Sequence, residues 1–181
     1  MNAYPSRRPT GGMIDRDRVI PFQFNGRHYN GYPGDTLASA LLANGVRVVA
    51  RSFKYHRPRG IVGAGFEEPN ALVQLQGTSE EPNVLATCLP LTDHLHAKSQ
   101  NCWPGPRFDL GSVNDQISRL IPAGFYYKTF MWRPWNSYAR VIRKAAGLGR
   151  VPKTTGSEYY EKRYHHCDIL IVGAGPSGLA A

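Results

Sequence analysis

Three glycines near the C-terminus have the spacing of a dinucleotide-binding turn. Gly173, Gly175 and Gly178 form the pattern G-x-G-x-x-G and directly follow the apolar run Asp168–Val172. In such a turn the first glycine permits a tight bend, the second lets the backbone approach a pyrophosphate, and the third lets the helix pack closely on the strand. The phosphates then lie at the helix N-terminus. We therefore predict that residues 168–181 form the first strand and turn of a Rossmann-like α/β domain.

This predicted domain is truncated, because three residues follow Gly178. A complete βαβ unit needs about 30 residues, and the acidic residue that binds the adenosine ribose lies about 20 residues beyond the glycines. We expect the chain to be the N-terminal piece of a longer polypeptide, which by itself binds no dinucleotide with useful affinity. The alternative is a natural short product, in which the strand 168–172 would be an exposed, aggregation-prone edge.

Two groups of histidines could ligate a metal ion. His94 and His96 alternate on a predicted strand with Lys98, and His165-His166-Cys167 precedes the last predicted strand. No third ligand accompanies His94 and His96, so we interpret the first group as a polar strand face and the second as a polar strand entry. Three cysteines are too few for a disulfide framework and indicate reduced thiols. We predict no metal site.

Basic residues gather in two regions of a chain whose formal net charge is +9. Residues 116–157 contain eight lysines and arginines and no acid, which predicts a solvated helix and linker or a face that docks on another subunit. The loop 51–59 could contact an anion or a subunit, or lie in solvent. No RNA-binding signature accompanies either region, which argues against a nucleic-acid partner. The basic side chains of the loop are Arg51, Lys54, His56, Arg57 and Arg59.

Patterns for acid–base or nucleophilic catalysis are absent from the sequence. Glu67 and Glu68 are adjacent and are interpreted as a solvated loop rather than an acid–base pair. No G-x-S-x-G turn occurs, and we identify no catalytic residue. No apolar run reaches the roughly 20 residues of a membrane helix, and residues 1–10 lack the apolar core of a signal peptide. We expect a cytoplasmic protein without membrane contact.

The elements that precede the glycine turn begin with a β-hairpin. Apolar residues alternate over Ile20–Phe24, Asn25-Gly26 is a strong hairpin turn, and Arg27–Tyr32 supplies the returning strand. A helix follows, capped by Asp35 or Thr36 and ending before Gly45. One face of this helix would comprise Leu37, Ala40, Leu41 and Asn44.

Short extended runs follow the helix, and together they predict an α+β roll with one helix on a mixed sheet. The runs are 46–50, 71–76, 83–89 and 94–98. We divide the chain into an N-terminal arm (1–17), the roll (18–100), a basic connector (101–167) and the start of the dinucleotide-binding domain (168–181). The connector is predicted to contain short helices at Ser112–Ile121 and Tyr138–Ala146.

Five motifs stand in sequence, at residues 33–38 (PGDTLA), 52–60 (SFKYHRPRG), 67–71 (EEPNA), 128–132 (KTFMW) and 173–178. Together they resemble the α subunits of heterotetrameric sarcosine oxidases and their relatives, the A subunits of opine oxidases and of hydrogen cyanide synthase. The resemblance runs from about Arg18 to Ala181. It implies a β-grasp domain of the [2Fe-2S] ferredoxin type, followed by a nucleotide-binding domain.

The cysteines of the ferredoxin type are mostly missing here. Ferredoxin-type members hold the cluster with C-x4-C-x2-C and a distant fourth cysteine. When that pattern is set on Arg59-Gly60, the three close ligands fall on Gly63, Glu68 and Ala71, and the fourth falls near Cys88. One thiolate cannot hold the cluster, and Cys102 and Cys167 have the wrong spacing to substitute. We therefore predict no [2Fe-2S] cluster, a departure that favours the sarcosine oxidase branch over the opine oxidases.

The resemblance also implies an activity for the intact enzyme: oxidative demethylation of sarcosine to glycine, with flavin on a partner subunit and oxygen as electron acceptor. It implies NAD on the α subunit, FAD and FMN in the assembled enzyme, tetrahydrofolate handled downstream, and β, γ and δ subunits as partners. Only Gly173, Gly175 and Gly178 carry over as nucleotide-site residues. The alternative is a non-catalytic β-grasp module that docks on a protein or nucleic acid, with the glycine turn as a relic.

Overall fold

A computed structural model describes residues 6–77, 80–120, 124, 134–139, 149, 152 and 161–181. The described residues form seven strands, three α-helices that are given labels here, a further helical stretch at residues 135–139, and two 3-10 turns. The strands are β1 Ile20–Phe24, β2 Arg27–Gly31, β3 Ala50–Arg51, β4 Pro58–Arg59, β5 Leu72–Gln76, β6 Val84–Leu85 and β7 Leu95–Ser99. The helices are α1 Leu37–Ala43, α2 Val113–Gln116 and α3 Pro176–Ala180, and the 3-10 turns are Leu110–Ser112 and Ser118–Leu120.

Five strands make one mixed sheet in the order β2-β1-β7-β5-β6. The central strands β1 and β7 are parallel, while β1–β2, β5–β7 and β5–β6 are antiparallel. Helix α1 packs its buried residues with those of the sheet in one core. The expected α+β class is therefore confirmed, and one helix on a mixed sheet is what the β-grasp resemblance implies. Strands β3 and β4 form a separate two-stranded sheet.

The β1–β2 hairpin follows from its turn residues. Asn25 and Gly26 both have positive φ, 52° and 75°, as a two-residue type I′ turn requires. This turn pairs Phe24 with Arg27 and directs Ile20, Phe22 and Phe24 into the core. The hairpin prediction is confirmed, with β2 ending one residue early at Gly31.

Helix α1 begins and ends where its caps predict. The Thr36 side chain accepts a hydrogen bond from the Ser39 N–H, and the Ser39 side chain accepts one from the Thr36 N–H, which completes a capping box. Gly45, with φ of 75°, follows the C-cap Asn44. The largest fully buried side chains are Phe22, Phe24, Leu37, Leu41, Val49 and Val73, and burial of each contributes about 1.5–3 kcal/mol.

Several predicted elements have different bounds in the structure. The run 46–50 forms a strand only from Ala50, and the run 83–89 only at β6, after which a turn begins. The run 94–98 corresponds to β7, which begins one residue later, at Leu95. His94 is not part of the strand because its φ of 58° lies outside the extended region. The predicted helix Ser112–Ile121 is divided between α2 and the two 3-10 turns. Apart from residues 138 and 139, the predicted helix Tyr138–Ala146 lies outside the described residues.

The N-terminal arm contacts the roll. The Arg7 guanidinium donates to the carboxylate of Asp35 at 2.7 Å, and both side chains are largely buried. Asp35 also accepts from the Ser39 hydroxyl and the Tyr32 N–H. Within the part of the chain that the structure describes, no helix has the length and apolar character to cross a membrane.

Candidate functional site

The glycine turn places its three glycines at a bend and in the first residues of a short helix. Gly173 has φ of 113°, in the region that glycine tolerates. Gly175 is the N-cap of α3, with open space around the position of a Cβ. A Cβ at Gly178 would collide with the Gly173 carbonyl oxygen, so the third glycine permits a close approach of helix and turn. The nucleotide-binding role of these residues stays a prediction.

The structure corrects the strand predicted before this turn. Residues 168–172 form no strand, and Ile169, Leu170 and Val172 are 81%, 76% and 86% exposed. A parallel strand requires neighbours on its edges, and within the described residues no segment pairs with this one. The five-residue helix α3 forms without it because its start is determined locally, by Gly175 and by Pro176 at the first helical position.

A second candidate site is the loop 62–71, where the cluster ligands of ferredoxin-type members would fall. Its centre is the carboxylate of Glu68, which is 2% exposed. The Val62 N–H donates to Glu68 Oε2 at 2.6 Å, the Gly63 N–H donates to the same oxygen, and the Asn70 N–H donates to Oε1 at 2.7 Å. Sequence reasoning placed Glu68 in a solvated loop, and the structure shows that this was wrong.

Burial by itself would raise the pKa of the Glu68 carboxyl, because it disfavours the charged form. The backbone N–H groups of Gly63, Asn70, Val62 and Ala71 together outweigh that effect and lower the pKa below its usual value. Glu67 is exposed and accepts from the N–H groups of Ala64 and Gly65 at 2.7 and 2.9 Å. The N–H of Glu67 itself has the largest effect, and together with those of Ala64 and Gly65 it lowers the pKa of the Glu67 carboxyl as well.

The donor set of this loop does not fit an iron–sulfur cluster. Gly63 and Ala71 offer no ligand atom, and the Glu68 carboxylate is occupied by backbone N–H groups. Among the described residues, no group of three His, Cys, Asp or Glu side chains could hold a metal ion. Burial and the nearby charge of Asp109 raise the pKa of the Cys102 thiol to about 11, so this thiol is protonated at neutral pH.

The basic loop 51–59 is joined to residues 103–115. Arg51 donates to the carbonyl oxygens of Pro106 and His56, both at 2.8 Å. Arg57 pairs with Asp115 at 2.8 Å. The two sequence interpretations were contact with an anion or a subunit, and a solvated loop. Neither anticipated these internal contacts, although the exposed Arg57–Asp115 pair lies in solvent.

Asp109 is the centre of this contact, and the sequence analysis did not single it out. It is 5% exposed, lies 2.6 Å from His56 Nδ1 through Oδ2, and accepts from the N–H groups of Trp103 and Gly111 through Oδ1. The His56 ring packs so closely on Gly111 that a Cβ at that position would collide with it. The one signal in the sequence is a lone acid in a stretch rich in proline and glycine.

The histidine groups remain polar surface in the structure. His94 and His96 are exposed, with His96 on β7 beside the exposed Lys98. Residues 165–167 are exposed and precede no strand. Both groups therefore lie at the surface, and neither is part of a three-ligand cluster among the described residues.

One comparison with known proteins finds a match that covers the roll. A family model described as a 2Fe-2S iron–sulfur cluster binding domain matches residues 17–102. A crystal structure of L-proline dehydrogenase from P. horikoshii superposes on 50% of this chain and 17% of its own, with a TM-score of 0.40 and 21% identity. That likeness is too weak to support an argument.

Two curated relatives match nearly the whole chain. Sarcosine oxidase subunit alpha of Rhizobium meliloti (strain 1021) is 53% identical over 100% of this chain and 18% of its own length. The protein of the same name from Corynebacterium sp. (strain P-1) is 32% identical over 98% of this chain and 14% of its own length. The chain thus spans less than a fifth of the curated relatives it matches. Its resemblance to sarcosine oxidase α subunits is confirmed over its full length.

Proposed function

We propose that this chain is part of the α subunit of a sarcosine oxidase-like flavoprotein, an oxidoreductase that demethylates sarcosine to glycine. The observation that carries the proposal is the 53% identity to a sarcosine oxidase α subunit over the whole chain. The aligned region includes both the roll and the glycine turn, so the proposal does not rest on the match to an iron–sulfur type domain alone.

The roll contributes assembly rather than electron transfer in this proposal. A [2Fe-2S] cluster needs four ligands, commonly thiolates. The positions that the resemblance assigns to the three close ligands hold Gly63, Glu68 and Ala71, and the fourth falls near Cys88. The cytoplasmic enzyme would contain β, γ and δ subunits, with FAD and FMN in the assembly and tetrahydrofolate as a further reactant. No side chain of this chain is assigned to the oxidation step.

The glycine turn is proposed as the first part of an NAD site. Gly173 provides the bend, Gly175 leaves space above the start of α3, and Gly178 allows the close approach seen in the structure. These features suit a pyrophosphate beside the backbone. The rest of the nucleotide site would come from residues beyond the glycine turn in the intact subunit.

Affinity purification from the source organism tests the proposed function. A tag would be placed on the N-terminus of the chromosomally encoded protein, and the purified sample assayed for flavin absorption, bound NAD and sarcosine-dependent oxygen uptake. We expect co-purified subunits and oxygen uptake with sarcosine that is absent with glycine. A tagged protein that recovers no flavin and shows no sarcosine-dependent uptake would refute the proposal. An untagged strain is the matched control.

A further inference from the structure

The loop 62–71 is organised around anions that belong to the chain itself. Four consecutive N–H groups, those of residues 62–65, donate to the carboxylates of Glu67 and Glu68, and the N–H of Asn70 closes the ring from the other side. Concavities lined by successive backbone N–H groups bind anions, and many phosphate and iron–sulfur sites use them. Here the concavity is already filled by side chains.

The filled concavity includes positions that the resemblance to ferredoxin-type domains assigns to cluster ligands. Glu68 stands at one such position, and Gly63, at another, donates its N–H to the Glu68 carboxylate. The fourth position is tied to the same loop, because Thr87, next to Cys88, donates its hydroxyl to the Gly65 carbonyl oxygen at 2.8 Å. The Ala86 N–H donates to the Ala71 carbonyl oxygen at 2.9 Å.

We propose that the Glu68 carboxylate replaces the iron–sulfur cluster as the internal anion that orders this loop. A cluster bound by four thiolates carries negative charge and accepts hydrogen bonds from backbone N–H groups at its sulfur atoms. The buried carboxylate presents two oxygens with four acceptor sites in the same loop. The domain therefore holds its loop in the ordered form without any metal.

Glu68 and Glu67 differ in the role that this proposal gives them. Glu68 is buried and links both ends of the loop, from Val62 to Asn70, whereas Glu67 is exposed and contacts only residues near itself. Glutamine at position 68 keeps the size of the side chain but turns one acceptor oxygen into an N–H donor. At least one of the two groups of backbone N–H donors would then lose its partner.

Hydrogen exchange of the purified chain tests the proposal by comparing Glu68→Gln with the matched control Glu67→Gln. We expect the amides of Val62 and Gly63, or that of Asn70, to exchange about tenfold faster in the first variant. The same amides should exchange as in the wild type in the control, where Ala64 and Gly65 change instead. Equal exchange at residues 62, 63 and 70 in the two variants would overturn the proposal.

If Glu68→Gln does not fold, a measurement on the wild type tests the proposal instead. The amide proton shifts of Val62, Gly63 and Asn70 should follow the titration of one carboxyl, at a pH below the ordinary range of glutamate. If these three amide shifts do not move as the pH is lowered while the protein stays folded, Glu68 is not their acceptor and the proposal is refuted.

Discussion

Each buried carboxylate that the structure describes has its own set of hydrogen-bond donors. Among the described residues, Glu68 accepts from backbone N–H groups, Asp109 from backbone N–H groups and His56, and Asp35 from Arg7, Ser39 and the Tyr32 N–H. A buried charge without such partners would cost several kcal/mol. Each of these acids therefore depends on a particular path of the backbone around it.

The stability that Glu68 contributes should depend on pH. Its pKa is lowered in the folded state relative to the ordinary value of 4.5, so its contribution is fully present above that value and is lost as the pH falls through the lower, folded pKa. The wild type should therefore exceed Glu68→Gln in free energy of unfolding at pH 7, and the difference should shrink under acid. Urea unfolding from pH 7 to pH 3 measures it, and a difference that stays constant with pH would contradict this assignment.

At the scale of the elements, the loop 51–59 and the segment 103–115 act as one structural unit. Arg51 donates to carbonyl oxygens of that segment, and His56 meets Asp109 above Gly111. Several hydrogen bonds in one small region stabilise both segments. Each of these bonds contributes about 0.5–1.5 kcal/mol net to the free energy of unfolding.

Gly111→Ala should separate these two segments. The new Cβ would collide with the His56 ring, and displacement of the ring leaves the buried Asp109 with fewer partners, at a cost of about 1–3 kcal/mol. Gly105→Ala is the matched control, because no atom lies within 4 Å of its Cβ position and its φ is not positive. Urea unfolding compares the two variants, and equal midpoints would show that His56 adjusts without loss.

The elements that were predicted correctly are those with local causes. The Asn25-Gly26 turn, the Thr36 cap and Gly45 each act within a few residues, so they can be read from the sequence. Strand bounds such as those of β6, and the missing strand at 168–172, depend on pairing with distant residues. The burial of Glu68 was missed for the same reason, because the N–H donors come together only when the loop folds back.

At the scale of the whole molecule, the described core lies within residues 20–97. The side chains of residues 161–181 are exposed, apart from the half-buried position of Gly178. The roll and the glycine turn therefore contribute unequally to the stability of the fold. The roll forms the core, whereas the glycine turn adds little buried apolar surface.

Deletion of residues 161–181 should leave the stability of the roll unchanged. Because that segment buries no apolar side chain, we expect the thermal midpoint to stay within about 2 °C of the full chain. Phe22→Ala is the contrasting variant, since loss of this buried ring should cost about 3–5 kcal/mol. A large fall in the midpoint on deletion would show that the segment packs on the roll.

We expect the domain at residues 17–102 to fold around the Glu68 carboxylate and to hold no cluster. The direct test is the iron and acid-labile sulfide content of the chain after anaerobic incubation with ferrous iron, sulfide and a thiol reductant. We expect no stoichiometric iron and no visible charge-transfer absorption after desalting. Two irons and two sulfides per chain, with the spectrum of a [2Fe-2S] cluster, would contradict it.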